Sequence, residues 1–307
     1  MINTLVAGRV NLTEQQKRAL SDMGFHLVFH PDERTPVSDP DQFEVVICNG
    51  LFQYQPIKRF GNLHMIQLTS AGLDRVPLSE IQERGISLYN AENTYSVPMA
   101  EFAIGGVLQL YKNASFFYQN KENHLWDKDR NLQELFGKNV LILGTGHVGS
   151  AIAKRFKAFE CMITGLSRSG SEKTGFDKTD NINNVDDYLP EADILVLALP
   201  LTKETEQILN NSRLQSLKET AVVVNIARGK LTDENAMAHW LEQHPDAGAV
   251  LDVFEEEPLP NDNALWDLPN VVLSPHNSFV GNGNAERLFQ VIKKNFIEYY
   301  ESKPIIE

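Results

Sequence analysis

Short apolar runs alternate with amphipathic stretches along most of the chain, the pattern of parallel α/β folds rather than of an all-β sandwich. Leu5-Val6-Ala7 reads as a first strand, and further strands are predicted at 26–29, 45–48, 65–68 and 86–89. After the first strand, Thr13-Glu14-Gln15-Gln16 has the spacing of a capping box and predicts a helix that stops at Gly24. From 97 to about 120 the pattern becomes helical, with Phe102, Val107, Leu110 and Phe117 among its apolar positions, and predicts one long connecting helix. A polar stretch at 120–131 containing Trp126 follows. Asn139-Val140-Leu141-Ile142-Leu143 then opens a second α/β unit, with later strands at 162–166, 194–199, 221–226, 249–251 and 271–273. A closing helix at about 285–300 carries Leu288, Val291, Ile292, Phe296 and Tyr299 on one stripe. Two parallel-sheet lobes around a cleft are predicted, one formed by 1–100 with 280–307 and the other by 101–279.

The length of 307 residues agrees with two domains at about 150 residues each. The 28 Lys+Arg and 41 Asp+Glu leave a net charge of −13, which disfavours non-specific binding to nucleic acid or anionic membranes. An anionic substrate therefore needs locally placed positive groups. Cys48 and Cys161 each border a short apolar run and read as buried, reduced thiols rather than a disulfide framework. The start of the chain has no basic n-region, and no segment approaches the ~18 apolar residues of a membrane span. A soluble, cytoplasmic protein is expected. No Cys/His/Asp cluster has metal-ligand spacing, so no metal is expected.

Gly144-Thr145-Gly146-His147-Val148-Gly149 follows a strand directly and runs into the helical pattern of Ser150-Ala151-Ile152-Ala153. In that context the first glycine permits a tight turn, the second lets backbone approach a pyrophosphate, and the third allows close helix–strand packing. A ligand-free glycine turn and a methyltransferase-type loop are the alternatives at this level. At the end of the next strand an acidic residue would grip an NAD ribose. Ser167-Arg168-Ser169 stands there instead, and a guanidinium between two hydroxyls suits a 2′-phosphate. The expected cofactor is NADP(H), with NAD(H) and a solvated Arg168 as the alternative.

Three further signals sit at predicted strand ends: Asn225-Ile226-Ala227-Arg228-Gly229, Asp252-Val253-Phe254-Glu255-Glu256-Glu257-Pro258, and Ser274-Pro275-His276-Asn277-Ser278. Their order resembles the D-isomer-specific 2-hydroxyacid dehydrogenases. So do the glycine loop, Leu199-Pro200-Leu201-Thr202, Glu101 after Val97-Pro98-Met99-Ala100, and Thr69-Ser70-Ala71-Gly72-Leu73-Asp74. The resemblance spans nearly the whole chain, and Ser-Arg-Ser is most like the NADP-dependent glyoxylate/hydroxypyruvate reductases.

That resemblance implies two Rossmann-like or flavodoxin-like domains: a substrate domain at 1–100 plus 280–307 and a dinucleotide-binding domain at 101–279. It implies reduction of a small 2-oxoacid to the D-2-hydroxyacid by hydride transfer. His276 would be the general acid/base, Glu257 its orienting partner, and Arg228 the carboxylate-binding, carbonyl-polarising cation. Ser70, Ala71, Gly72 and Leu73 would form a second carboxylate clamp. The implied cofactor contacts are the glycine loop, Ser167 to Ser169, Leu199, Pro200, Thr205, Ile226, Ala227, Asp252 and Ser278. Asp252 matches a nicotinamide-carboxamide contact, with a strand-end Asp capping local backbone as its alternative. Glu255 and Glu256 are read as solvated, and the segment Gly50-Leu51-Phe52-Gln53-Tyr54 as a cleft-facing loop with substrate contacts. A homodimer through about 118–136 is implied. The competing functional readings are a 3-phosphoglycerate dehydrogenase-like enzyme and a dinucleotide-sensing, co-repressor-like binding module.

Overall fold

The continuous apolar runs become parallel strands covered on both faces, which is why they show little polar alternation. The computed structural model describes residues 1–302. The chain divides into two units, Met1–Tyr95 with Gly281–Glu307, and Ser96–Val280. Residues 303–307, the end of the first domain expected from sequence, lie outside the described residues.

In the first unit the elements are β1 (Ile2–Ala7), α1 (Glu14–Asp22), β2 (Phe25–His30), β3 (Val45–Cys48), α2 (Leu51–Tyr54), β4 (Met65–Leu68), α3 (Leu78–Glu83) and β5 (Ser87–Tyr89), followed after the second unit by a C-terminal helix (Asn284–Ser302). The five strands pair in parallel in the order β2-β1-β3-β4-β5. Leu5, Val46, Cys48, Ile66 and Leu68 pack on one face with Phe43, Leu51 and Phe60. Val6, Val45, Ile47 and Met65 pack on the other with Phe25 and with Ile292, Phe296 and Tyr299 of the C-terminal helix. The capping box is present: Gln16 N–H donates to Thr13 Oγ1 at 3.2 Å and Thr13 N–H to Gln16 Oε1 at 2.9 Å.

The second unit holds α4 (Ser96–Tyr111), α5 (Ala114–Glu122), β6 (Asn139–Leu143), α6 (His147–Ala158), β7 (Met162–Ser167), β8 (Lys178–Asn181), β9 (Ile194–Leu197), α7 (Asn211–Leu214), β10 (Val222–Asn225), α8 (Glu234–Gln243), β11 (Gly248–Leu251) and β12 (Val271–Leu273). Its seven parallel strands run in the order β12-β11-β10-β9-β6-β7-β8. The order reverses between β6 and β9, and in open α/β sheets the carboxyl ends beside such a reversal hold the ligand. Gly106 of α4 sits so close to β11 that a Cβ there would lie 2.4 Å from Val250 Cγ1. Each unit holds one free, buried cysteine, Cys48 on β3 and Cys161 just before β7. Among the described residues no helix is long and apolar enough to cross a membrane.

Several expectations need correction. The single helix expected at 97–120 is two helices, because Asn113 adopts a left-handed φ of 45° and its Nδ2 donates to Asp129 Oδ2 at 2.8 Å. Strand β8 was not predicted, since Lys-Thr-Asp-Asn has no apolar run; it is the polar edge of the sheet and pairs only with β7. In the segment 50–54, Leu51 and Phe52 are buried in the first unit's core, leaving Gln53 and Tyr54 exposed. The unit boundary falls at Tyr95/Ser96, ahead of the 100/101 division expected from sequence.

Candidate active site

The second-unit motifs that follow strands lie at the carboxyl ends of a parallel sheet, because in a βα repeat each strand delivers its following loop to the same edge; Glu101 is instead on α4, where it accepts from Arg155 Nη2 at 3.2 Å. Gly144, after β6, has φ +108°, and a Cβ on it would lie 2.4 Å from Ala198 O. A Cβ on Gly149, in the first turn of α6, would lie 1.8 Å from Gly144 O, so this residue sets the close approach of helix and strand. Gly146 is the N-cap of the 12-residue helix α6, and a Cβ there would meet nothing within 4 Å. Backbone facing open space at a helix N-terminus is the arrangement that accepts a pyrophosphate, so these residues fit a dinucleotide. Thr145 O accepts from Ser150 Oγ at 3.2 Å, and His147 is exposed beside it with Val148 partly buried.

After β7, Ser167 Oγ accepts from Gly170 N–H at 3.2 Å and lies 3.4 Å from Ser169 Oγ, while Arg168 is exposed. The Glu204 carboxyl is held below its ordinary range by Thr202 and its own backbone N–H, with a smaller contribution from the Arg168 charge. Thr205 Oγ1 donates to Pro200 O at 2.7 Å and accepts from Thr202 N–H at 2.8 Å, so its hydroxyl is used to close the turn after β9. Leu199 is buried beneath that turn.

Arg228, Glu257 and His276 follow β10, β11 and β12, three adjacent strands. His276 Nδ1 donates to Glu257 Oε2 at 2.8 Å, and Glu257 Oε1 accepts from Phe254 N–H at 3.2 Å. The carboxylate thereby fixes the imidazole orientation and leaves Nε2 for a reacting proton. His276 itself has a left-handed φ of 51°, a strained conformation for a side-chain-bearing residue. It is held there by its N–H donating to Asp252 O at 2.8 Å. Asp252 is wholly buried, and its Oδ1 accepts from Asn277 N–H at 2.7 Å and Ser278 N–H at 3.1 Å. The Asp252 carboxylate thus braces the loop that carries His276, and Ser278 is buried against it.

The Arg228 turn is bracketed by Asn225, a buried residue at the end of β10. Asn225 Oδ1 accepts from Ala227 N–H at 3.1 Å and its Nδ2 donates to Arg228 O at 2.9 Å. Arg228 is half-buried, with Nη1 donating to Ala227 O at 2.7 Å, and Ile226 faces the core. A Cβ on Gly229 would sit 1.9 Å from Phe254 C, so the Arg228 turn rests directly on the backbone leading to Glu257. Glu255 is exposed, as expected, and also exchanges hydrogen bonds with the start of α8: its Oε1 accepts from Glu234 N–H at 3.1 Å and its N–H donates to Glu234 Oε2 at 2.9 Å. Sequence reasoning gave Asn225 no role, because an Asn at a strand end is common and only its two partners reveal the bracket.

In the first unit, Ala71 O accepts from Asn90 Nδ2 at 2.8 Å, Ser70 O accepts from Ala91 N–H at 2.9 Å, and Ser70 Oγ donates to Gly72 O at 3.0 Å. Leu73 is exposed beside this turn.

Residues 104–278 match the family model described as D-isomer specific 2-hydroxyacid dehydrogenase, NAD binding domain. The glyoxylate reductase of Pyrococcus horikoshii is 35% identical over 245 residues, 77% of this chain and 73% of that protein. A glyoxylate/hydroxypyruvate reductase of Arabidopsis thaliana is 33% identical over 249 residues, covering 80% and 76%. The D-3-phosphoglycerate dehydrogenase of Methanocaldococcus jannaschii is 32% identical over 263 residues, 81% of this chain but 49% of that longer protein. Among solved structures, a D-isomer specific 2-hydroxyacid dehydrogenase family protein from Aeromonas salmonicida is similar with a TM-score of 0.84 at 27% identity, covering 99% and 97%. A D-isomer specific 2-hydroxyacid dehydrogenase from Xanthobacter autotrophicus in complex with NADPH and MES is similar with a TM-score of 0.79 at 25% identity, covering 100% and 97%. With its two parallel sheets and its run of strand-end motifs, the chain belongs to the D-isomer-specific 2-hydroxyacid dehydrogenases, a family of oxidoreductases.

Proposed function

We propose that this protein is an NADP(H)-preferring reductase of small 2-oxoacids of the glyoxylate/hydroxypyruvate type, yielding the D-2-hydroxyacid. The observation that carries this reading is the His276–Glu257 hydrogen bond, made between the loops after β12 and β11, the latter being the neighbour of the strand that leads to Arg228. A bound nicotinamide dinucleotide supplies the hydride. Gly144 to Gly149 would present backbone donors to its pyrophosphate, and Pro200 and Ala227 would border it together with the backbone of Leu199, Ile226 and Ser278, whose side chains are buried; Asp252 would act there through the loop it braces. Arg228 binds the substrate carboxylate and polarises the carbonyl. Ser70 to Leu73 supply a second carboxylate contact. His276 delivers the proton from Nε2 to the carbonyl oxygen, and Glu257 stabilises the protonated ring on the opposite nitrogen.

The preference for NADP(H) is supported by the exposed Arg168 between Ser167 and Ser169, with no carboxylate in that turn. The NADPH bound to the similar Xanthobacter enzyme supports it as well. A homodimer is supported by the exposed large apolar side chains Phe117, Tyr118, Leu125, Trp126 and Phe136, which fall close together along the chain. The two buried free thiols are consistent with a reducing, cytoplasmic setting.

The test is oxidation of NADPH and NADH in parallel, against glyoxylate, hydroxypyruvate, pyruvate and bulkier 2-oxoacids. Faster turnover with NADPH and a small 2-oxoacid is the expected result. Cofactor binding without turnover on any 2-oxoacid overturns the reading. The phosphoglycerate dehydrogenase relative supports a second reading, which activity confined to a phosphorylated substrate distinguishes.

A further inference from the structure

The turn proposed to read the 2′-phosphate is not self-supporting. It leans on the polar edge strand β8, whose register places Asn181 beside Ser167. Asn181 Nδ2 donates to Arg168 O at 2.7 Å, and its Oδ1 accepts from Asn183 N–H at 2.9 Å, capping the 3-10 turn Ile182–Asp187. One end of the amide meets a carbonyl and the other an N–H, so its orientation is settled by its partners. Gly170, with φ +65°, closes the same contact: a Cβ there would lie 2.9 Å from Asn181 N. The neighbouring Asp180 carboxylate is occupied by donors on the protein, Asn181 N–H at 2.7 Å, Asn184 Nδ2 at 3.1 Å and Tyr188 OH at 2.6 Å.

We propose that Asn181 is a positioning residue for cofactor choice, fixing the Arg168 backbone through its side-chain amide so that the guanidinium is aimed at a 2′-phosphate. This inference rests on the NADP(H) reading above. Arg has a long side chain with considerable rotamer freedom, and a charge-assisted contact gains most when the backbone that launches it is already immobile. The bond from Asn181 spans from the last residue of β8 to the first residue after β7, and it removes motion in the one peptide that sets where the Arg168 side chain starts.

Asn181 has two roles, and substitution separates them. Asn181→Ser retains an oxygen acceptor that caps the 3-10 turn but is too short to reach Arg168 O. Asn181→Ala loses both. The full chain is titrated with NADPH and NADH, and with adenosine 2′,5′-bisphosphate against 5′-AMP, which reports the phosphate contact without turnover. Arg168→Ala is expected to weaken NADPH and the bisphosphate by about tenfold or more while leaving NADH and AMP nearly unchanged, as loss of a hydrogen bond to a charged group predicts. Asn181→Ser is expected to weaken the same two phosphorylated ligands by roughly three- to tenfold, part of that effect, with an unchanged melting temperature. Wild-type affinities in Asn181→Ser overturn the inference, as does an equal loss for phosphorylated and unphosphorylated ligands. An Arg168→Ala variant with an unaltered NADPH-to-NADH ratio overturns the cofactor reading itself, and the inference with it.

Discussion

The strand ends bearing Arg228, Glu257 and His276 and the turn bearing Arg168 belong to one sheet, yet they are built to different standards. The first set follows three adjacent strands, and each loop is tied to another: Gly229 lies against Phe254, Phe254 N–H is held by Glu257, Glu257 by His276, and His276 by Asp252. The Arg168 turn sits on the penultimate strand, with β8 as its outer neighbour and Asn181 as its cross-brace. Interlocked loops tolerate little error in any member, whereas an edge turn can change its side chains without disturbing the core. Chemistry needs fixed distances over a fraction of an ångström; recognition of one extra phosphate needs only a well-aimed cation. On the proposed function, the same sheet carries an interlocked set of reaction loops and a replaceable reading head.

Substitutions break or sharpen this contrast. The largest effect is expected for His276→Ala, which removes the proposed proton donor and should lower kcat by about 10³-fold, within the usual range for a general acid, while NADPH still binds. Near-normal turnover takes His276 out of the reaction. Next is Gly229→Ala, whose Cβ cannot be accommodated without moving the Phe254 backbone. A loss of about 3 kcal/mol in urea unfolding, with activity lost together with it, is expected. Glu257→Gln keeps the shape but not the charge; a fall in kcat of roughly 10- to 100-fold with little change in substrate KM is expected, because protonated imidazole loses its counter-charge. Arg168→Asp should raise the KM for NADPH far more than that for NADH and leave thermal stability within about 0.5 kcal/mol, as surface substitutions do. Equal rises for both cofactors would erase the distinction between the two regions.

The smallest effect concerns the foot of β7. Asp177 accepts from Lys157 and, through Oδ2, from Ile163 N–H at 2.8 Å, and chiefly the Lys157 contact holds its carboxyl below the ordinary range. A depressed folded pKa contributes stability above the unfolded carboxyl value of about 3.9, and that contribution is lost as pH falls through the lower folded value. Asp177→Asn should therefore lower the unfolding free energy slightly at pH 7, by no more than about 1 kcal/mol for a partly exposed pair, read by urea unfolding. The gap between variant and wild type should close as pH falls through that lowered folded value.

The strands that cross the core were readable because both of their faces are apolar; β3, β4, β6 and β12 span the residues their apolar runs mark. Strand β8 was not, since an edge strand with Lys178 and Asp180 gains its place from backbone pairing and from side-chain bonds such as Tyr188 OH to Asp180, neither of which shows as an apolar run. The break at Asn113 was hidden because Asn is tolerated within a helical pattern, and only its bond to Asp129, far along the chain, favours the left-handed conformation. In the candidate site, residue types at strand ends stood out, but what joins them did not. Asn181 and Asp252 act through backbone atoms of residues that the fold brings near, Asn225 through those of its own turn, and a side chain's choice between water and a particular backbone group leaves no periodic trace. Leu51 and Phe52 illustrate the reverse error, where position after a strand pointed to a ligand and hydrophobicity, which won, pointed to the core.

The single buried thiol in each unit has a practical consequence. Burial pushes the Cys48 thiol far up, and pushes Cys161 up to about 11, so neither offers an appreciable thiolate at neutral pH while its surroundings stay closed. Cys48 sits on a central strand of the first unit, and Cys161 donates to Leu135 O at 3.2 Å at the entrance to β7 in the second. The chain thus contains an intrinsic opening probe in each unit: under native conditions the alkylation rate at each cysteine reports how readily its surroundings open, and peptide mapping reads the two separately, with no engineered cysteine.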